Sequence, residues 1–242
     1  MKSPVEQFTI KTLIPIEFMG YDISFTNASL FMLLSVLIST CFLYFGIKKT
    51  LLVPSRWQSS VEILYEFVSD MVKENVGKGG KTYFPFIFSL FMFVLFCNMI
   101  GMLPYSFTVT SHIIVTLILA IFIFIAVTII GFIKHGFGYL KLFVPSGVPV
   151  VLLPLITVIE VISYLSRPVS LSVRLFANMM AGHTMLKVFG GFVISLGLLG
   201  GWLPLSFSVA LTGLEILVAF LQAYVFAILT CIYLNDALNL HH

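Results

Sequence analysis

The sequence predicts an all-α integral membrane protein, and three observations carry that expectation. Of 242 residues, 60% are apolar and 10% charged, whereas a soluble domain carries roughly 25% charged residues. Several apolar runs reach about 20 residues, the length at which a helix crosses a bilayer with its backbone hydrogen bonds satisfied internally. The basic residues between the first runs cluster in alternate connections, as the positive-inside rule requires. The net charge of +3 is too small to argue for a nucleic-acid partner. Cys41, Cys97 and Cys231 are far apart and match no metal or redox spacing, so they read as packing residues. The five histidines form no ligand cluster, and His241–His242 end the chain. No cofactor or metal is expected.

Residues 1–27 have charges spread through them and no continuous apolar core, so they read as an outer-side segment and not as a signal or transit peptide. The sequon at Asn27–Ser29 abuts a span and carries no weight. The first span is expected at 28–47 and stops at Lys48–Lys49. Residues 58–75 place Val61, Leu64, Val68, Met71 and Val72 at helical spacing, with Glu62, Glu66, Asp70 and Lys73 between them. That is an amphipathic helix for a lipid or partner surface. "GKGGK", Gly77–Lys81, reads as a flexible link and lacks the rest of a phosphate-loop pattern. Two spans follow within 83–133, joined by "PYSFTVT"; Asn98, Gly101 and Pro104 mark the end of the first and fit a structural role as well as a functional one. Lys48, Lys49, Arg56, Lys73, Lys78 and Lys81 lie in one connection and Lys134 and Lys141 in the next inside-facing one. This pattern puts the N-terminus outside.

Residues 148–240 are apolar almost throughout, with glycine pairs at 190–191 and 200–201 as the expected breaks. Each part exceeds a hydrocarbon core of about 30 Å if helical. Hydropathy does not decide between steep tilt and further division. Read as a helix, 158–182 places Glu160, Ser163, Arg167, Ser170, Arg174 and Asn178 on one face. Such a stripe faces water or protein, not lipid. Pro168 lies within it and frees a carbonyl one turn back, which is tolerated where backbone lines a cavity or packs on protein. Arg174 has no acidic residue within thirteen positions on either side, and a guanidinium cannot avoid burial by losing its proton. His183, nine residues on, falls roughly 180° from Arg174, with Lys187 one turn beyond. In the last segment Glu215 and Gln222 share a face, Thr212 precedes them by one turn, and His183, Lys187 or solvent are the candidate partners of Glu215. Blander readings exist. Arg167 and Lys187 fit snorkelling cations, Glu160 fits a headgroup-level carboxylate, and Asn178 and Gln222 fit interhelical hydrogen bonding.

"RPVSLSVRLFANMMAGH" and "LEILVAFLQAYVFAILTCIYL", supported by "FCNMIGMLPYSFTVTSH" and "FVPSGVP", resemble the a subunits of F-type ATP synthases, with the likeness running from about residue 50 onward. The resemblance implies about five membrane helices plus one amphipathic surface helix, the last two forming a steeply tilted hairpin against a ring of c subunits. It implies a non-catalytic subunit with two aqueous half-channels. Arg174 corresponds to the arginine that meets each c-subunit carboxylate, and Asn178 and Gln222 to its polar neighbours. His183 and Glu215 correspond to the outer half-channel pair, in the exchanged order of mitochondrial and alphaproteobacterial-like members. Glu160, with Ser163 beside it, corresponds to the inner half-channel acid. Arg167 stands where many members carry lysine. The implied partners are the c-ring, peripheral stalk subunit b, other F0 subunits, membrane lipid and protons, in an energy-transducing inner membrane, bacterial or mitochondrial. A proton- or sodium-coupled transporter and a membrane scaffold are the competing classes; no internal repeat supports the transporter.

Overall fold

A computed structural model describes residues 8–15, 17–18, 21–22, 24–48, 53–103, 106–143 and 152–239. Lys49, Pro104, most of "FVPSGVP" and His241–His242 lie outside the described residues. Four short strands come first: β1 Thr12–Ile14, β2 Glu17–Phe18, β3 Tyr21–Asp22 and β4 Phe25–Thr26. β1 pairs antiparallel with β4 and β2 with β3, forming a two-rung hairpin ahead of the helices that apolar periodicity did not signal. Six α-helices follow among the described residues: α1 Asn27–Ile47, α2 Arg56–Val76, α3 Phe84–Gly101, α4 Ile113–His135, α5 Leu153–Gly200 and α6 Trp202–Leu238. All but α2 are long and apolar enough to cross a membrane. The architecture is the expected all-α membrane fold of five spans and one amphipathic helix.

The helix ends follow local chemistry. The Thr26 hydroxyl accepts from the Ser29 amide at the start of α1, and Ser55 does the same for Gln58 at the start of α2; each satisfies a donor the first turn cannot. α2 stops at Gly77 and α4 at Gly136, where φ is +74° and +55°, a conformation glycine reaches without steric cost. The glycine-rich link ends α2 as expected and continues as a 3₁₀ turn over Gly77–Tyr83, with Gly80 buried against Val72 and Val76.

α2 buries Val61, Val68, Met71, Val72 and Val76. Its apolar stripe is covered by the chain's own helices: Val68, Met71, Val72 and Val76 share one core with Ile87, Phe91 and Val94 of α3 and with Phe226, Cys231 and Leu234 of α6, and Val61 packs against Gly46 of α1. The opposite face carries the exposed Lys73–Asp70 ion pair at 2.9 Å, which raises the lysine pKa. Along α6, Ala219, Ala223, Ala227 and Cys231 recur every fourth position and are fully buried. Small residues at that spacing let a neighbouring helix approach closely. Asn98 of α3 uses this closeness, its side-chain amide donating to the Ala219 carbonyl at 3.1 Å.

α5 runs unbroken through Gly190–Gly191, where a break was expected. Its only non-helical residue is Gly197, with φ +60°. α5 ends at Gly200 and α6 begins at Trp202, at the break expected at 200–201, and at Gly201 an added Cβ would lie 2.6 Å from the Gly197 carbonyl oxygen. A glycine pair mid-helix costs helix propensity but does not force a turn; a positive φ does. From Leu153 to Gly197 the helix has 45 residues, about 67 Å against about 30 Å of hydrocarbon. Length beyond that core is accommodated by tilt or by emergence from it. α5 and α6 run antiparallel, since Arg167 meets Asp236 while His183 meets Glu215.

Tyr139 is almost wholly buried and its ring packs against Gly131, where any Cβ would strike it. Gly131→Ala is therefore expected to destabilise the solubilised protein by about 1–3 kcal/mol, as overpacking does. Gly190→Ala, at a helical site with nothing within 4 Å, should be neutral or stabilising by up to about 1 kcal/mol. Thermal denaturation in detergent distinguishes the two.

Candidate functional site

The ionisable residues of α5 and α6 divide into three groups. The first is a buried pair: His183 Nδ1 lies 3.4 Å from Glu215 Oε1, with side-chain exposures of 12% and 5%. The pairing is possible because residue 182 is glycine; a Cβ there would stand 2.7 Å from the same carboxylate oxygen. Neither Glu215 oxygen has a hydrogen-bond partner among the described residues.

The other imidazole nitrogen has a hydroxyl partner, and the hydrogen bonding around that hydroxyl favours one tautomer. His183 Nε2 is 2.9 Å from the Thr108 hydroxyl, and Thr108 donates its own proton to the Gly101 carbonyl at 3.2 Å. A threonine hydroxyl has one proton to give. With that proton on Gly101, Thr108 accepts, and Nε2 carries the hydrogen. Nδ1 is then the nitrogen that gains or loses a proton, and it faces the carboxyl. One proton placed between Nδ1 and Oε1 belongs to the pair, not to either residue. Burial favours the arrangement in which neither group bears an isolated charge.

The segment carrying Thr108 is itself tied down. Ser106 donates to the carbonyls of Gly101 and Leu103, and Ser111 to that of Thr108 at 2.6 Å. Gly101 permits the approach, since its Cβ would lie 2.7 Å from a Thr108 methyl. Next to Thr108, Phe107 stacks on His112 at 4.9 Å, and burial holds the His112 imidazole below the ordinary histidine range. Three buried polar atoms, Asn98 Oδ1, Thr110 Oγ1 and His112 Nε2, have no partner among the described residues. Asn98 sits one helical turn from Glu215 through its bond to Ala219.

The second group is a clamp. Arg167 Nη1 donates to Asp236 Oδ2 at 2.9 Å, and the guanidinium lies 5.3 Å and 5.0 Å from the rings of Tyr164 and Tyr233. Charge-assisted hydrogen bonding and cation–π contact both favour this seat. Behind it, Tyr139 bonds Tyr164 at 2.9 Å and Tyr164 bonds Thr128 at 2.6 Å. Thr128 donates to the Phe124 carbonyl, which leaves its oxygen to accept from Tyr164. Lys134 and His135 of α4 reach the Leu238 carbonyl at 2.9 Å and 3.1 Å, and cap the α6 C-terminus. Arg167 is thus neither a free member of the polar stripe nor a snorkelling cation. Its long side chain reaches across to α6, and its partner Asp236 is one that sequence reasoning passed over.

The third group lies outside the packed hairpin. Leu171, Ser172, Leu175 and Met179 form the buried side of α5, whereas Arg174 and Asn178 are exposed, as are Glu160, Ser163 and Ser170. Arg174 makes no ion pair or hydrogen bond with the described residues. It lies across the helix from His183, as the angular spacing predicts. Gln222 is half-buried on α6 and Lys187 is exposed on α5; the structure joins neither to Glu215.

Thr108 and Asp236 are the residues sequence reasoning missed. "FTVT" before a histidine carries a hydroxyl but no periodicity, and Asp236 sits at a helix end where an acid needs no explanation.

The family model described as ATP synthase A chain matches residues 29–235. The ATP synthase subunit a of Pelagibacter ubique is 73% identical over 241 residues, covering 99% of each chain. That of Chelativorans sp. is 62% identical over 245 residues, 99% of this chain and 98% of its own, and that of Rhodospirillum rubrum 59% over 241 residues and all of both. These relatives are alphaproteobacterial.

Gly182→Ala tests the packing of the buried pair. The added methyl is expected to drive the Glu215 carboxyl away from His183 to beyond 4 Å, visible in a structure of the variant, with the Arg167–Asp236 clamp unmoved.

Proposed function

The chain belongs to the ATP synthase A chain family, and from that premise we propose that it is the static, non-catalytic membrane subunit that couples proton flow through F0 to rotation of a c-ring. One observation carries the reading: Arg174 is an exposed permanent cation, amid apolar sequence, without a counter-ion among the described residues. A charge at that depth needs an opposite charge or water. A carboxylate on a passing c subunit supplies the opposite charge, once per step.

Protons enter from the outer side past Glu215 and His183. There Nε2–H is held by Thr108, so Nδ1 and Glu215 Oε1 hand one proton between them. The proton neutralises a c-subunit carboxylate, and the neutral carboxyl then faces lipid at far lower cost than the anion. The ring carries it round to an inner path at Glu160 and Ser163, where it ionises. Arg174 stabilises the returning anion and separates the two paths, while Asn178 and Gln222 supply polar surface beside it. The membrane potential contributes about 2.3 kcal/mol per charge per 100 mV. The relatives suit a bacterial inner membrane, and the basic loops put the N-terminus on the outer side. Peripheral stalk subunit b and the other F0 subunits are the remaining partners.

The experiment is proton pumping by the assembled complex in membrane vesicles. Arg174→Ala is expected to lower ATP-driven pumping by at least about tenfold, the least that loss of a charge-assisted contact entails, while the complex still assembles. Unimpaired pumping in that variant would leave a scaffold role instead. Exchanging His183 and Glu215 together should restore part of the passive proton flow that either single change removes; a double variant no better than the worse single one rules out the relay.

A further inference from the structure

Among the described residues, Asn27 ties the N-terminal hairpin to the start of α1 with several hydrogen bonds. The Asn27 side chain accepts from the Lys11 and Ala28 amides at 3.2 Å and 3.0 Å and donates to the Thr9 carbonyl at 3.2 Å. Its own amide donates to the Lys11 carbonyl at 3.1 Å. Thr12 and Ile14 pair with Thr26 and Phe25 just beyond. Six consecutive residues, 9–14, are therefore held as a strap against the start of α1. Ile10, Leu13 and Ile14 are exposed, so the strap is not held by a core of its own. What its anchored end does is place Phe8: the ring meets the His183 imidazole edge-on, with centroids 6.4 Å apart and planes at 64°.

Among the described residues, His183 thereby meets side chains from three other parts of the chain. Glu215 comes from α6, Thr108 from the segment before α4, and Phe8 from the strap; Lys187 stands one turn along α5. α1 joins the same assembly, since Ala28, Phe31 and Met32 pack with Phe107 and Val109 on either side of Thr108. An imidazole held by one hydrogen bond and one 3.4 Å contact retains freedom to swing about its Cβ–Cγ bond. A ring edge on its open side removes that freedom and excludes water there.

We propose that residues 8–14 form a strap that covers the imidazole of His183, with Phe8 as a positioning residue that keeps Nδ1 aimed at Glu215 and Asn27 as the fastening that holds Phe8 in place. The proposal rests on the proton-path reading for its purpose, and on the contacts alone for its existence. It also gives Asn27, whose sequon carried no weight in the sequence, a definite task.

The test uses the assembled complex in membrane vesicles and the histidine acylating reagent diethyl pyrocarbonate. Modification of His183 is followed by peptide mass, with His112 and His135 as internal references. Phe8→Ala and Asn27→Ala are each expected to speed modification of His183 about threefold to tenfold, the population change an edge-on aromatic contact of this class controls. The references should stay constant. Phe8→Leu, which keeps apolar cover, should remain close to the parent, and combining Phe8→Ala with Asn27→Ala should add little to either alone. Passive proton flow should fall in the two alanine variants and not in Phe8→Leu. An unchanged His183 rate in both alanine variants overturns the strap. A faster rate with undiminished proton flow supports the strap as a cover and counts instead against His183 lying on the proton path.

Discussion

A charge inside a hydrocarbon layer is stable only beside an opposite charge, a set of hydrogen bonds, or water, and the arrangement of α5 and α6 follows from that constraint. Arg167 is half-buried and has Asp236. His183 and Glu215 are buried and have each other. Glu160 and Arg174 have no such partner among the described residues and are exposed. Burial and pairing go together for these residues on both helices, and the exposed arginine is where the proposed c-ring carboxylate would supply the missing opposite charge.

The two internal pairs do different work because their chemistry differs. The Arg167–Asp236 bond is a charge-assisted contact at 2.9 Å, a clamp reinforced by two tyrosine rings and a run of hydrogen-bonded hydroxyls. The His183–Glu215 contact joins two groups that each bind and release a proton, and it is longer and less complete, with both carboxyl oxygens lacking hydrogen-bond partners among the described residues. A firm fastening lies at one end of the hairpin and an under-satisfied pair nearer the turn, an arrangement that suits the proposed role of a static scaffold beside a proton path. The small residues of α6 make this geometry possible. Ala219, Ala223 and Ala227 bring α3 close enough for Asn98 to reach backbone, and Gly182 lets a carboxyl lie against α5.

Much of this was legible in the residues. Run length marked the spans, since a helix of apolar residues needs nothing beyond its own backbone and lipid. The spacing of Val61, Val68, Met71 and Val72 marked α2, though not that the chain's own helices cover it. The angle between Arg174 and His183 predicted two faces with different surroundings, and the structure has one exposed and one packed. Of the two glycine pairs read as breaks, 200–201 lies where α5 gives way to α6, whereas 190–191 stays helical because a glycine pair lowers helix propensity without forcing a turn; the positive φ is at Gly197. The strands before α1 escaped notice because two or three residues carry no measurable alternation.

What the sequence by itself determined is the inventory: which stretches enter the membrane, which residues bring charge into it, and which side of a helix each occupies. These depend on composition and on the fixed periodicity of a helix, both local. The tertiary structure alone decided the pairings: Arg167 with Asp236 rather than with the stripe, Thr108 on His183, Asn98 on Ala219, Phe8 against the imidazole. Each joins residues between 69 and 175 positions apart. Such contacts depend on how closely two helix backbones approach and at what register. Small residues permit that approach, but no single segment specifies the partner.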